Sequence, residues 1–279
     1  MQNNNSIRSN LSKADMISDI RLCLGGDIKR EHTYLLVEGD DDVKFIRPFL
    51  SENVYIYESF DGKNGVEEIV ANIFERNERV IGIRDKDYQI EPISNKVFYY
   101  DFCCMEMMLI SNDDVFEEVC SECYEGERNF SDLRLKIFRE LKFLSIIRLY
   151  NETRGWERKF KGISISAAWS EEEEKIDKSI IINKINSITN SSIQVEMEKE
   201  ISDQLEKDWN LEDFLNYTQG HDFANLMATI CNIHKKRGIK NIDIESNLRC
   251  CFRYNDLKQT KLYSNLIEYE NENNIKILR

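Results

Sequence analysis

The sequence predicts an α/β fold: a parallel sheet flanked by helices, followed by a mainly helical C-terminal part. Three observations lead to it. Between residues 33 and 101, short apolar runs alternate with helical stretches, the rhythm that builds a parallel sheet with helices on its faces. Beyond residue 105 strand-like runs nearly vanish, and apolar residues recur at helical spacing. The chain has only two prolines and eleven glycines, with no linker-like cluster among them. The expected division is a helical extension at 1–30, an α/β domain at 31–111 and a helical domain at 112–279.

The elements follow in order. Lys13–Leu24 reads as a helix. Thr33–Glu38 (TYLLVE) is a buried strand, and Asp40–Leu50 a helix that Pro48 ends or kinks. Val54–Ser59 is a second strand, Asp61–Gly65 (DGKNG) a loop of turn residues, and Gly65–Asn77 a helix with Val66, Ile69, Val70, Ile73 and Phe74 on one side. Val80–Arg84 and Val97–Asp101 complete four strands. Helices follow at Asn112–Cys123 and Ser131–Tyr150, the latter with a stripe of Leu133, Ile137, Leu141, Leu144 and Ile147. Thr153–Ala168 reads equally as loop or hairpin. Glu171–Glu174 reads as a solvated helix start, where carboxylates suit the helix dipole. Further helices are expected at Lys178–Ile188, Val195–Trp209, His221–Lys236, Asp243–Cys251 and Thr260–Asn271.

Composition narrows the function. A hydrophobic content of 41% with 10% aromatics supports a sizeable core and excludes wholesale disorder. The balance of 38 Lys+Arg against 51 Asp+Glu gives a net charge of -13, which argues against non-specific coating of DNA. It leaves room for a nucleic-acid enzyme with a local basic strip and carboxylates for metal. No apolar run approaches the roughly 20 residues of a bilayer span, and the polar, Asn-rich start lacks a secretory apolar segment. A cytoplasmic location is therefore expected, with no membrane partner. The eight cysteines then read as thiols. Only Cys120 and Cys123 have Cys-x-x-Cys spacing, and no second pair completes a zinc ribbon.

The chemistry is expected at strand ends. Glu38 closes the first strand, and Asp85 and Asp87 lie just past the third. Residues two apart in an extended segment face the same side, and in a parallel sheet the strand ends share the edge where ligands bind. Three carboxylates in one small volume call for a cation, and hard oxygen ligands select Mg²⁺ or Mn²⁺. Asp40, Asp41 and Asp42 read instead as capping and first-turn residues of the following helix. Lys63, in the Gly-flanked loop, reads either as a phosphate contact or as an exposed turn lysine. Lys86, between the paired aspartates, is grouped with the substrate-binding residues. No Walker spacing is present, so no ATP site is expected in this chain. Arg154, Arg158, Lys159 and Lys161, interleaved with Trp156 and Phe160, form the best candidate nucleic-acid strip. His234–Arg237 reads more readily as ordinary C-terminal capping.

Leu36-Val37-Glu38-Gly39 with Asp42, followed by a strand leading into Asp85-Lys86-Asp87, resembles the Toprim fold of topoisomerases, bacterial primases and OLD-type nucleases. Asp101-Phe102-Cys103-Cys104-Met105-Glu106 and Gly220-His221-Asp222 are similar to segments of one Toprim group, encoded beside ABC-type ATPases in bacterial anti-phage defence loci. Residues 33–110 carry the resemblance well and 211–236 loosely. Cys103 and Cys104 depart from it, standing where a polar pair is expected.

The resemblance implies a metal-dependent nuclease, the effector of an abortive-infection system. Glu38, Asp85, Asp87 and Glu106 would be catalytic, and these with Asp101 would be metal ligands. His221 would serve as an acid, a base or a phosphate-orienting group. The resemblance implies RNA such as tRNA as substrate and an ABC-type ATPase as partner. An active homodimer is expected because a compact site must reach both sides of a bulky substrate. An OLD-type DNA endonuclease and a Toprim interaction module without catalysis are the alternatives.

Overall fold

The structure, a computed structural model, describes residues 12–233 and 238–279. The chain forms two units, Met1–Tyr100 with Tyr254–Arg279, and Asp101–Arg253.

The first unit holds a parallel sheet of β1 (Thr33–Val37), β2 (Val54–Glu58), β3 (Val80–Arg84) and β4 (Val97–Tyr99), in the order β2-β1-β3-β4. Every residue of β1 and β3 is buried, as befits central strands covered on both faces. The edge strand β2 is only partly covered. In register, Leu36 pairs with Gly82, Val37 with Glu58 and Arg84 with Tyr99. Glu38 and Asp85 therefore leave neighbouring strands at the same edge.

Helix α1 (Lys13–Gly26) starts in a capping box of Ser12 and Asp15. Helix α2 (Asp40–Ile46) gives way to a 3₁₀ turn, Arg47–Phe49, at Pro48. Helix α3 (Gly62–Glu67) begins earlier than its apolar spacing suggests and continues as a π-helical turn over Glu68–Ile73. Met16 and Ile20 of α1 pack with Tyr34, Leu36, Val66, Ile69 and Val70 in one core cluster.

The division differs from the expected boundaries at 111 and 112. The C-terminal helix Lys261–Asn273 belongs with the sheet: Tyr269 sets its ring 5.4 Å from that of Phe98 and donates its hydroxyl to Glu78 O at 2.9 Å. A bridge between Leu50 and Leu278 extends this attachment. Such pairings across the chain leave no local mark in sequence.

The second unit is helical. It contains α4 (Met105–Ser111), α5 (Asp113–Cys123), the long α6 (Phe130–Arg154), a short α7 (Ile165–Ala168), α8 (Lys178–Thr189), α9 (Val195–Leu205), α10 (Leu211–Tyr217), α11 (Gly220–Cys231) and α12 (Asn241–Cys251). Phe138 stacks on Phe214 at 5.3 Å and lies 4.9 Å from Phe223, which in turn meets Phe116. The α6 stripe of Leu133, Ile137, Leu141, Leu144 and Ile147 is buried as well. Glu171–Glu174 corrects the helix-start reading: it is the turn of a small hairpin, β5 (Trp169–Ser170) and β6 (Lys175–Ile176). Four consecutive carboxylates stay solvated in a turn as readily as in a helix start. All eight cysteines are thiols. Among the described residues, no helix is long and apolar enough to cross a membrane.

Candidate functional site

The sheet edge of the first unit gathers its acidic groups by strand geometry. Glu38 follows β1 and Asp85 follows the adjacent β3, and the Asp85 N–H donates to Glu38 Oε1 at 2.9 Å. Gly62, at φ +53°, opens α3 over Glu38, and a Cβ there would lie 3.7 Å from Glu38 Oε2. A left-handed backbone at this turn suits glycine. Asp42 behaves as expected of a first-turn carboxylate, accepting from the Gly39 N–H at 3.0 Å, while Lys44 pairs with Asp40 and Asp41.

Burial pushes the Glu38 carboxyl up to about 7. The Asp85 N–H and the Arg84 guanidinium oppose the shift, and the negative charges of Asp42 and Asp87 add to it. The chain therefore crowds carboxylates around a partly desolvated one.

Two basic residues answer this crowding. Lys63, in the first turn of α3, donates from Nζ to Asp87 Oδ2 at 2.8 Å, so in this structure it meets a carboxylate of the site itself. Arg84, which the sequence reading passed over, is fully buried. Its Nη1 donates to Glu67 Oε1 at 2.9 Å, its Nε to Asp85 O at 3.0 Å, and its guanidinium lies 5.0 Å from the Tyr99 ring centroid. Arg84 thus holds the start of the Asp85–Asp87 turn from beneath. Asp87 sits at φ +50°, an uncommon conformation for a non-glycine residue. Lys86 lies in the same turn, its carbonyl accepting from the Gln89 N–H at 3.1 Å.

The donors suit a hard divalent cation in kind, being carboxylate oxygens at the C-terminal edge of a parallel sheet. In arrangement they do not make a finished cage. Among the described residues, no three His, Cys, Asp or Glu side chains stand together as a metal-holding group.

Asp101 and Glu106 belong to the second unit. Glu106 lies in the first turn of α4 against the start of α11, where a Cβ on Gly220 would come within 2.5 Å of Glu106 Cβ and 2.9 Å of Cys104 Sγ. Only glycine allows that approach. Burial raises the Glu106 carboxyl above its ordinary range; the Glu245 charge adds to this, and Cys104 and Arg249 oppose it. Cys103 and Cys104 serve the same junction. The Gly220 N–H donates to Cys104 Sγ at 3.3 Å and Gln219 Nε2 to Cys103 Sγ at 3.4 Å.

His221 is largely exposed at its side chain (68%) and contacts Glu245 Oε1 through Nδ1 at 3.0 Å. This hydrogen bond is the main reason its pKa rises above 6.5. Asn241 donates to the same Glu245 oxygen at 3.4 Å. Glu245 is a residue the sequence offered no signal for, since it lies 24 positions from His221. Asp222 is held by Arg148 through two bonds of 2.6 and 2.9 Å.

The basic strip is not a continuous surface. Arg158 is buried (7% exposed), donating to Ser191 O at 2.8 Å and to Met197 Sδ at 3.4 Å. It is a cross-link between segments, which corrects its assignment as a substrate contact. Phe160 lies under the Arg148 guanidinium at 4.4 Å, and Trp156 packs edge-on to Tyr150 at 5.4 Å. Both rings are thus engaged within the unit. Arg154 and Lys159 are exposed, Arg154 lying 3.7 Å from Glu200. The second basic run, His234–Arg237, lies outside the described residues.

No protein-family model matches this chain, and no curated protein sequence matches it.

Proposed function

We propose that the chain is a Toprim-type phosphodiesterase, a divalent-metal-dependent nuclease that acts as a toxic anti-phage effector on RNA such as tRNA. The observation that carries the chemistry is the pairing at the sheet edge. Glu38 and Asp85 end adjacent parallel strands, joined by a 2.9 Å bond, with the charge of Asp87 acting on Glu38. Glu38, Asp85 and Asp87 would hold Mg²⁺ or Mn²⁺, which supplies charge neutralisation at a phosphate and lowers the pKa of a bound water. Arg84 keeps the Asp85–Asp87 turn in place from its buried position. The ABC-type ATPase partner, the active homodimer and the cytoplasmic setting belong to the same proposal and rest on the sequence resemblance.

A second function has one observation in its favour. Lys63 pairs with Asp87 at 2.8 Å, giving that carboxylate a partner other than a metal. A Toprim-like interaction module without catalysis would be built this way.

The test is cleavage by the purified chain of total tRNA and plasmid DNA in parallel, with Mg²⁺ or Mn²⁺, beside Glu38→Ala. Discrete tRNA fragments that vanish with the variant are the expected result. Cut plasmid with intact tRNA would move the substrate to DNA. Cleavage that persists undiminished in Glu38→Ala would refute the site.

A further inference from the structure

We infer that Lys63 is a built-in counter-cation of the strand-edge carboxylates, an ammonium that holds Asp87 where a divalent cation would otherwise bind and competes with that cation. The inference rests on the metal-dependent function proposed above and adds a regulatory element to its site.

The geometry is specific. Lys63 Nζ lies 2.8 Å from Asp87 Oδ2, with the two side chains 30% and 20% exposed. A pair this sheltered is less screened by salt than an open surface pair. Lys63 directly follows Gly62, the residue that faces Glu38 Oε2, so one helix start addresses both Glu38 and Asp87. Asp87 itself sits in a left-handed backbone conformation, at φ +50°. Arg84 cannot play this part, because its buried guanidinium is already engaged by Glu67 and the Asp85 carbonyl. Lys63 differs in kind: an ammonium is a compact charge on a flexible four-carbon stem, able to leave one carboxylate without unfolding its surroundings.

A divalent cation drawn to Asp87 meets an ammonium already there, and like charges cannot share one carboxylate at contact distance without strong repulsion. A cation held by Asp87 would compete with Lys63 for that carboxylate, and an ammonium displaced from it would be available to a phosphate.

The experiment is calorimetric titration of the whole chain with MgCl₂ or MnCl₂, comparing wild type with Lys63→Met, Lys63→Gln and Lys63→Arg. Far-UV circular dichroism confirms that each is folded. Removing the competing charge should tighten metal binding by about fivefold in Lys63→Met and Lys63→Gln, the worth of a modest ion pair. Lys63→Arg should stay near wild type. Detectable binding in the neutral variants and none in wild type would be the strongest form of the expected result. Equal or weaker metal binding in both neutral variants, with wild type binding, overturns the competition and leaves the metal site standing. Absence of binding in every form overturns both the competition and the metal-dependent function.

Discussion

Replacing Glu38 with glutamine should remove a pH dependence of stability that the wild type carries. The Glu38 carboxyl titrates at about 7 in the fold against an ordinary 4.5. Between those values the folded chain keeps a proton that the unfolded chain has released, so folding takes up a proton. Stability is then fully present below pH 4.5 and falls as pH rises through 7. The gap of 2.5 between the two values corresponds to about 3 kcal/mol at ~1.36 kcal/mol per unit. Burial is the largest contributor, with Asp42 and Asp87 adding repulsion. Glutamine keeps an oxygen for the Asp85 N–H and has no charge to bury. Urea denaturation at pH 5, 6, 7 and 8 in EDTA measures the effect. Glu38→Gln should gain on wild type steadily across this range, approaching ~3 kcal/mol at pH 8. A difference between the two proteins that stays constant from pH 5 to 8 would refute the view of Glu38 as a crowded, partly desolvated carboxyl.

Two further substitutions, with Lys159→Ala as a control, test the supports of the fold and site. Arg84→Leu strips Glu67 of its cation and Asp85 O of its donor, and should cost about 3 kcal/mol because it leaves a carboxylate without its buried partner; a loss below ~1 kcal/mol in urea denaturation would show the pair to be dispensable. Arg158→Ala should destabilise the chain by about 2 kcal/mol through its lost bonds to Ser191 and Met197, while Lys159→Ala leaves stability unchanged. Thermal melts compare the two, and equal melting temperatures would return Arg158 to the surface.

Much of the first unit was legible in the chain. The runs TYLLV, VYIYE and VIGIR are continuous, β-rich and bounded by turn residues, and all three are strands of the sheet. The positions of Glu38 and Asp85 just past two of those runs placed both at one sheet edge. Arg84 was missed because a charged residue closing an apolar run reads as the exposed end of a strand. Its burial becomes visible only when Glu67 and Tyr99 arrive from other elements. Arg158 was misread for the converse reason: a cluster of cations with aromatics looks like a surface until Ser191 and Met197 close over one of them.

What the sequence determined by itself is whatever depends on near neighbours: apolar periodicity, the residues that start and stop each element, and which acids follow which strand. These are set by backbone sterics and side-chain spacing within a few residues. Only the tertiary structure decided the partners. Lys63 meets Asp87 across 24 positions, Glu245 meets His221 across 24 more, and the C-terminal helix returns to the sheet beside β4. Such pairings form because distant segments share a buried surface, and the charge of a side chain takes its meaning from what that packing places opposite it.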